Sequence, residues 1–207
     1  MFKIMEIFAS NISCVILAGG RNTRLGGQNK AFLRVHGKTI IDSIIEKLKL
    51  LFKEIIIVTN TPDEYYLYLR KTKIYADMME NMGPLAGIYT GLNQISNQAA
   101  FIVSCDMPFL NIDLIKHQIH EFENNNYDIL VPRINSNIEP LHAVYKKSIL
   151  KKLANHLKTS KNFSVRDFFT LINLGYNNLE NNYKNQKAFT NINSSDDLKK
   201  LKEKEGF

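Results

Sequence analysis

Cysteine is scarce: Cys14 and Cys105 are the only two in 207 residues. Two thiols so far apart make no secreted-type disulfide framework and cannot fill a four-ligand zinc site. Each lies in or beside an apolar strand-like run, the setting of a buried free thiol. Long apolar runs are also missing. None approaches the roughly 18 residues of a membrane-spanning helix. The first 13 residues place Lys3 and Glu6 among their apolar positions, which interrupts any signal-peptide core. The expected location is therefore the cytoplasm, with no membrane partner. No repeat, linker or long low-complexity tract divides the chain. The five histidines form no constellation. His117 and His120 share a helix face but have no further ligands beside them, and no Ser-His-Asp order or reactive-cysteine setting is visible.

What is present suits one ordinary domain with a core large enough to need no staple. The 27 Lys and Arg outnumber the 20 Asp and Glu, for a net charge of +7. That excess favours anionic partners, although the lysines are too scattered to choose among them. Nucleic acid is not expected, because neither an aromatic-rich binding strand nor an arginine stripe is found.

Short, uniformly apolar runs alternate with segments of helical period. Residues 13–17 (SCVIL), 55–58 (IIIV) and 101–104 (FIVS) read as buried strands, with weaker ones at 73–76, 129–132 and 141–145. Ile41, Ile44, Ile45 and Leu48 follow helical spacing, as do Ile112, Ile115, Ile119 and Phe122, with Asn111 as a cap. Further helices are expected at 63–70, from Pro84 to residue 95, from Ser164 to Ile172 with Asp167 in a capping box, and at 195–201. The Asn-rich stretch 177–186 reads as a mobile loop. Apolar strands separated by helices predict a single three-layer α/β/α domain, Rossmann-like, with a mostly parallel sheet covered on both faces. Ligands in such folds bind beyond the carboxyl ends of the strands, which here means just after Leu17, Val58 and Ser104.

The loop after the first strand, Leu17-Ala18-Gly19-Gly20-Arg21-Asn22-Thr23-Arg24-Leu25-Gly26-Gly27-Gln28-Asn29-Lys30, carries most of the functional argument. Paired glycines after a strand let backbone N–H groups approach a phosphate. Arg24 offers a planar fork and Lys30 a point charge for a triphosphate. The paired glycines do not fit the dinucleotide fingerprint, and Phe32 stands where a P-loop ending in Gly37-Lys38-Thr39 would need glycine. Asp106, in Ser104-Cys105-Asp106-Met107-Pro108-Phe109, ends the third strong strand. A carboxylate there can hold Mg²⁺ or cap the next helix, for which Asn111 is better placed. Asn60 and Asp77 follow two other strands and fit either turn or ligand roles. Gly83 and Gly87, in Met82-Gly83-Pro84-Leu85-Ala86-Gly87-Ile88, could bring a helix N-terminus close to an anion.

Together these motifs resemble the molybdenum cofactor guanylyltransferases, within the wider class of nucleotide-sugar-type transferases. The resemblance rests on L-A-G-G-x-x-x-R-x-G-G-x-x-K, C-D-x-P-F and G-P-L-A-G. It extends through E-P-L-x-A-x-Y at residues 139–145 and F-x-N-I-N at 189–193. It implies Mg²⁺-dependent transfer of GMP from GTP onto Mo-molybdopterin, giving molybdopterin guanine dinucleotide and pyrophosphate, with Mn²⁺ as an alternative ion. Arg24, Lys30 and Asp106 are then the catalytic residues, Asp106 being the metal ligand. Leu17, Ala18, Gly19, Gly20, Lys30, Asn60, Asp77, Gly83, Gly87 and Asp106 form the GTP site. Arg166, Asn191 and Asn193 form the acceptor site, Lys161 being the other basic candidate. The run G-P-L-A-G favours GTP over CTP. Asn29 departs from the family, which usually has Asp before the lysine.

On the same reading residues 1–12 are an extension, 13–110 bind GTP and 111–207 bind the acceptor. The protein is expected to act as a monomer and to meet other cofactor-biosynthesis proteins and molybdoenzyme chaperones. The competing readings are a sister enzyme moving CMP or another nucleotide onto the cofactor, an isoprenoid precursor or a sugar phosphate, and a non-catalytic cofactor-delivery chaperone.

Overall fold

The computed structural model describes residues 8–9, 11–19, 24–25, 28–79, 82–193, 196–197, 199–200 and 203. In chain order its elements begin with β1 (Ser13–Leu17), the short pairs β2 (Arg24–Leu25) with β3 (Gln28–Asn29) and β4 (Arg34–Val35) with β5 (Lys38–Thr39), and α1 (Ile40–Leu48). Then come β6 (Ile55–Thr59), β7 (Lys73–Ala76), α2 (Pro84–Gln94), β8 (Ala99–Ser104) and α3 (Ile112–Glu123). The second half holds β9 (Ile129–Ile134), β10 (Asn137–Ile138), β11 (His142–Lys146), α4 (Leu150–Thr159), α5 (Val165–Phe168), β12 (Leu174–Leu179) and α6 (Tyr183–Ala188).

Alternating side chains of each central strand serve two different cores, which is why the strands read as apolar throughout. Cys14 and Ile16, Ile55 and Ile57, and Phe101 and Val103 pack on one face with Ile41, Ile44 and Leu48 of α1 and Ile115, Ile119 and Phe122 of α3. Val15 and Leu17, Ile56 and Val58, and Ala100 and Ile102 pack on the other with Leu85, Ile88 and Leu92 of α2 and Leu153 and Leu157 of α4. The three-layer α/β domain is therefore as expected. Both cysteines are buried and free.

The sheet runs β10-β9-β11-β8-β1-β6-β7, with β12 also on β9. The pairs β8–β1, β1–β6, β6–β7 and β9–β12 are parallel, whereas β11 is antiparallel to both β8 and β9. Residues 129–134 of β9 pair with β12 along one edge. The other edge is shared: Tyr145 and Val144 of β11 meet Ile129 and Leu130, and β10 meets Arg133 and Ile134. Between β10 and β11 the ladder is broken over residues 139–141. Pro140 has no N–H to contribute, and Glu139 N donates to Pro132 O at 3.2 Å across the gap.

Three local expectations need correction. Residues 177–186 are not a loop: they contribute Asn177–Leu179 to β12 and most of α6. Buried Asn177 donates to Glu121 Oε2 and pairs with His117, and Asn182 caps α6 by accepting from Asn185 N. These hydrogen bonds supply what composition alone did not reveal. The helix near 63–70 is a 3₁₀ segment, Pro62–Tyr68. The segment after Ser164 is a short α-helix followed by a 3₁₀ turn, Phe169–Leu171. Ser164 does cap it, accepting from Arg166 N, but Asp167 accepts from Asn162 Nδ2 rather than closing a capping box. Asn111 caps α3 as expected, accepting from the N–H groups of Asp113 and Leu114. Of the helix expected at 195–201, residues 196–197 and 199–200 are described and helical; the rest lies outside the described residues.

Far from the carboxyl ends of the strands, Glu54 ties three elements together. Its carboxylate accepts from Ser13 Oγ (2.5 Å), Ser96 N and Oγ (2.8 Å each) and Lys73 Nζ (2.7 Å). Burial opposes its charge, yet the hydrogen bonds from Lys73, Ser13 and Ser96 outweigh it and bring the carboxyl down to about 2. It is one internal charge that nothing in the apolar periodicity pointed to.

Helix α2 can lie against β1 only because residue 91 has no side chain: a Cβ there would stand 2.5 Å from Val15 Cγ1. Gly91→Ala should therefore destabilise the domain by about 1–3 kcal/mol, the usual cost of overpacking. Urea unfolding of Gly91→Ala, Val15→Ala and the double variant measures it. The double variant should lose less than the sum of the singles, because each substitution relieves the other. Additive losses would show that the two residues do not compete for this space.

Candidate functional site

The parallel register brings the ends of β1, β6 and β8 level. Leu17 stands opposite Val58 and Ser104. Past the strands the ladder continues one residue on each side: Ala18 N donates to Val58 O (2.8 Å) and Cys105 N to Leu17 O (3.0 Å). Thr59 Oγ1 then donates to Ala18 O at 3.0 Å. The backbone that opens the glycine loop is thus held from both neighbours before the loop begins.

Leu17 and Ala18 are buried and Gly19 is exposed. A Cβ on Gly19 would meet Asn60 N and Nδ2 at 3.6 Å, so Asn60 flanks the loop's first glycine. Gly20 lies outside the described residues, as does the side chain of Arg24, whose backbone pairs with Asn29 in the β2–β3 hairpin. Lys30 opens a 3₁₀ turn and is 5% exposed. Its Nζ donates to Asn193 Oδ1 at 3.5 Å. Asn29, the departure from the family pattern, caps that turn by accepting from Ala31 N. Its amide also donates to Glu64 Oε2 (2.8 Å) and Tyr65 OH (3.0 Å). An aspartate could not make those donations, and it would set two carboxylates against each other. Here the asparagine suits its neighbour Glu64.

Asp77 follows β7 and joins it to α2. Its Oδ1 accepts from Thr90 Oγ1 (3.0 Å) and Met79 N (3.1 Å), and its N–H donates to Thr59 O. Gly83 takes a left-handed φ of 66°, which lets the chain turn into α2 with Pro84 at the first helical position. Gly87 lies one turn on, where a Cβ would stand 3.1 Å from Leu17 Cδ2.

Asp106 is half-buried, and its Oδ1 is a fully buried atom with no hydrogen-bond partner. Asp106, Arg166 and Asn191 line one cavity of about 310 Å³, together with Glu139, Ser164 and Pro140. Asn191 Oδ1 is a second buried atom without a partner. Ile192 N donates to Asp106 O at 3.0 Å, strapping the 189–193 segment across the end of β8. Asn193 itself lies against Lys30, and exposed Lys161 is absent from the cavity wall. The structure therefore gathers Asp106, Arg166 and Asn191 in one place. It sets Asn60 and Asp77 on the far side of β1, toward β6 and β7.

Glu139 was not singled out from the sequence, although it stands at the head of a motif already noted. The break between β10 and β11 turns it into the cavity wall. Burial raises its carboxyl above the ordinary range; the Arg166 charge pulls it down and the Asp106 charge pushes it up. Asp106, Glu139 and Arg166 therefore share one electrostatic neighbourhood. Burial, aided by the Asp106 charge and opposed by Lys30, pushes the Cys105 thiol up to about 12, which disfavours a thiolate there. Among the described residues no group of three or more His, Cys, Asp or Glu could chelate a metal by itself. No described helix is long and apolar enough to cross a membrane.

Residues 14–172 match the family model described as the MobA-like NTP transferase domain. The class of protein is thereby defined: a nucleotidyltransferase. Two relatives named probable molybdenum cofactor guanylyltransferase are similar along nearly their whole length, that of Natranaerobius thermophilus at 36% identity (93% of this chain, 95% of the relative) and that of Clostridium perfringens strain 13 at 37% (91% and 95%). Among solved structures, molybdopterin-guanine dinucleotide biosynthesis protein A of Archaeoglobus fulgidus matches with a TM-score of 0.79 at 25% identity, covering 94% of this chain and 99% of that one. The chain belongs to the molybdenum cofactor guanylyltransferase family.

At the start of β11, His142 is fully buried between the rings of Phe101 and Phe189, and neither ring nitrogen has a partner. Burial lowers its pKa to about 4. The unfolded chain, with an ordinary histidine near 6.5, binds this proton more readily than the folded one. Stability is thus complete above pH about 6.5 and is lost as pH falls toward 4, by on the order of 3 kcal/mol. Urea unfolding across this range should show the decline, and His142→Phe should flatten it. An equal decline in His142→Phe would assign the effect to other groups.

Proposed function

We propose that the protein transfers GMP from GTP to Mo-molybdopterin, releasing pyrophosphate and forming molybdopterin guanine dinucleotide, with Mg²⁺ (or Mn²⁺) as the metal ion. The observation that carries the reading is the buried, unpartnered Oδ1 of Asp106. It lies at the end of the strand next to the glycine loop, in a cavity shared with Arg166 and Asn191. A lone carboxylate is a poor chelator but suits Mg²⁺, which keeps its waters and takes further oxygens from phosphates. When bound, the ion would supply neutralising charge to the triphosphate and the incoming phosphate.

The residues of the chain divide the remaining work. Leu17 and Ala18, held in the ladder, form the floor of the loop, and Gly19 and Gly20 offer main-chain N–H groups to the triphosphate with no side chain intervening. Lys30, held by the Asn29 cap, exchanges its long 3.5 Å contact with Asn193 for a phosphate oxygen. Arg24 adds a second cation. Asn60 and Asp77 contact the base and ribose, and Gly83 and Gly87 admit the start of α2 to the nucleotide. Arg166 and Asn191 hold the acceptor, with Asn193 released to it when Lys30 turns to GTP. Residues 13–110 thus serve the nucleotide and 111–207 the acceptor. The terminal phosphate of the acceptor is anionic near neutral pH, so it attacks the α-phosphorus in line with the pyrophosphate leaving group and needs no general base. Positioning and charge neutralisation provide the rate.

Pyrophosphate release tests this, with Mo-molybdopterin as acceptor, GTP or CTP as donor, and Mg²⁺ present or removed by EDTA. GTP should be the better donor, and EDTA should abolish turnover. Asp106→Asn and Lys30→Met should each slow it by about 10²–10³-fold, the scale of losing one preorganised charge at a transition state. Asp106→Asn should not lower the melting temperature, because the replaced oxygen has no partner to lose. Unchanged release in both variants would remove the reading. If Asp106→Asn were inactive yet still matured a molybdoenzyme, delivery rather than catalysis would be the function.

A further inference from the structure

A second cavity, of about 330 Å³, lies on the other side of Glu139. Its wall is chemically unlike the first: four amides (Asn135, Asn137, Asn181 and Gln186), the Glu139 carboxyl and the Phe189 ring, beside Pro132 and Ile134. Glu139 lines both cavities, which therefore adjoin at that side chain.

The amides come from two separate elements. Asn135 and Asn137 bracket the turn of the β9–β10 hairpin, where Asn135 takes a left-handed φ of 54°, a conformation asparagine tolerates better than most residues. Asn181 and Gln186 flank the start of α6 and hold each other, Gln186 Nε2 donating to Asn181 Oδ1 at 2.6 Å. Phe189 is pinned edge-to-face against buried His142, with centroids 5.0 Å apart at 90°. Among the described residues no Lys or Arg lines this cavity. It is therefore built for no phosphate. Amide groups that can donate and accept, beside one carboxyl and one ring, suit a flat heterocycle with an amide-like edge.

We infer that this second cavity binds a 2-amino-4-oxopyrimidine ring, namely the pterin of the acceptor, and that Glu139 is its specificity-determining residue. The ring N–H and the exocyclic amino group are adjacent donors that a carboxylate accepts side by side, and the neighbouring carbonyl accepts from an amide. The inference rests on the acceptor assigned above. Guanine presents the same edge, but position separates the two rings. Asn60 and Asp77 stand beyond β6 and β7, whereas this cavity lies beyond β9 and β10 at the opposite side of the sheet. The pterin end of the acceptor would occupy the amide cavity while its phosphate lies in the first cavity beside Asp106 and Arg166.

Two phosphate-free probes, 6-hydroxymethylpterin and guanosine, can be compared by ligand-observed NMR on the wild-type protein and on Glu139→Gln and Asn181→Leu. In parallel, KM is measured for Mo-molybdopterin and for GTP. The wild type should bind the pterin, and each variant should weaken it by about tenfold, the scale of one hydrogen bond to the ring lost. KM for the acceptor should rise to match, with KM for GTP within about twofold of its starting value. Pterin binding and acceptor KM unaltered in both variants would overturn the assignment. So would Glu139-dependent binding of guanosine in place of the pterin. Glu139-dependent pterin binding without any GMP transfer would uphold the cavity and instead remove the guanylyl-transfer reading.

Discussion

The site depends on a continuous parallel ladder. Hydrogen bonds carry the pairing of β1 with β6 and β8 past the last strand residues, through Ala18 N to Val58 O and Cys105 N to Leu17 O. Those two bonds fix where the glycine loop departs and where the Asp106 side chain begins. A one-residue slip of β8 on β1 would turn every side chain of that strand to the opposite core. The apolar side chains on both faces, from Cys14 and Ile16 on one to Val15 and Leu17 on the other, make such a slip costly. Packing in the two cores and placement of the site are thus one constraint.

The two ends of the strands treat their polar groups differently. Glu54, at the amino ends of the strands, is satisfied by four hydrogen bonds and becomes a stabilising knot. Asp106 and Asn191, at the carboxyl ends, each keep an unpartnered buried oxygen. An unmet buried polar atom costs about 1–3 kcal/mol. At Asp106 and Asn191 those unmet oxygens face one cavity, where a ligand can complete them.

Much of this was legible in the chain. The apolar strands, the helical spacing of Ile41 to Leu48 and the cap at Asn111 each rest on short-range periodicity or a local hydrogen bond, and the structure reproduces them. So does the placement of Asp106 at a strand end beside the glycine loop. What could not be read depends on contacts distant in sequence. Asn177 is held in a strand by His117 and Glu121, about 60 residues away, so its Asn-rich surroundings resembled a loop. Asn29 reads as a departure from a family pattern until Glu64 and Tyr65 appear beside it. Asn193, grouped with Asn191 by their shared motif, accepts from Lys30 instead, a contact 163 residues apart in sequence that the motif does not encode.

The break between β10 and β11 illustrates how a sheet makes room for a ligand. Pro140 cannot donate to β9, so regular pairing lapses over residues 139–141, although Glu139 N and Leu141 O still bond to β9 and β8. At this interruption Glu139 lines two cavities, one with Asp106 and Arg166 and the other with the amides of the β9–β10 hairpin and α6. Strand β12 pairs with β9 along its full length on the opposite edge, so β9 stays hydrogen-bonded while its other edge is interrupted. A defect in an otherwise regular ladder is tolerable because the parallel partner carries the strand through it. The same proline that ends the pairing thereby sets a carboxyl between two cavities, which a continuous strand would have turned into the core or out to solvent.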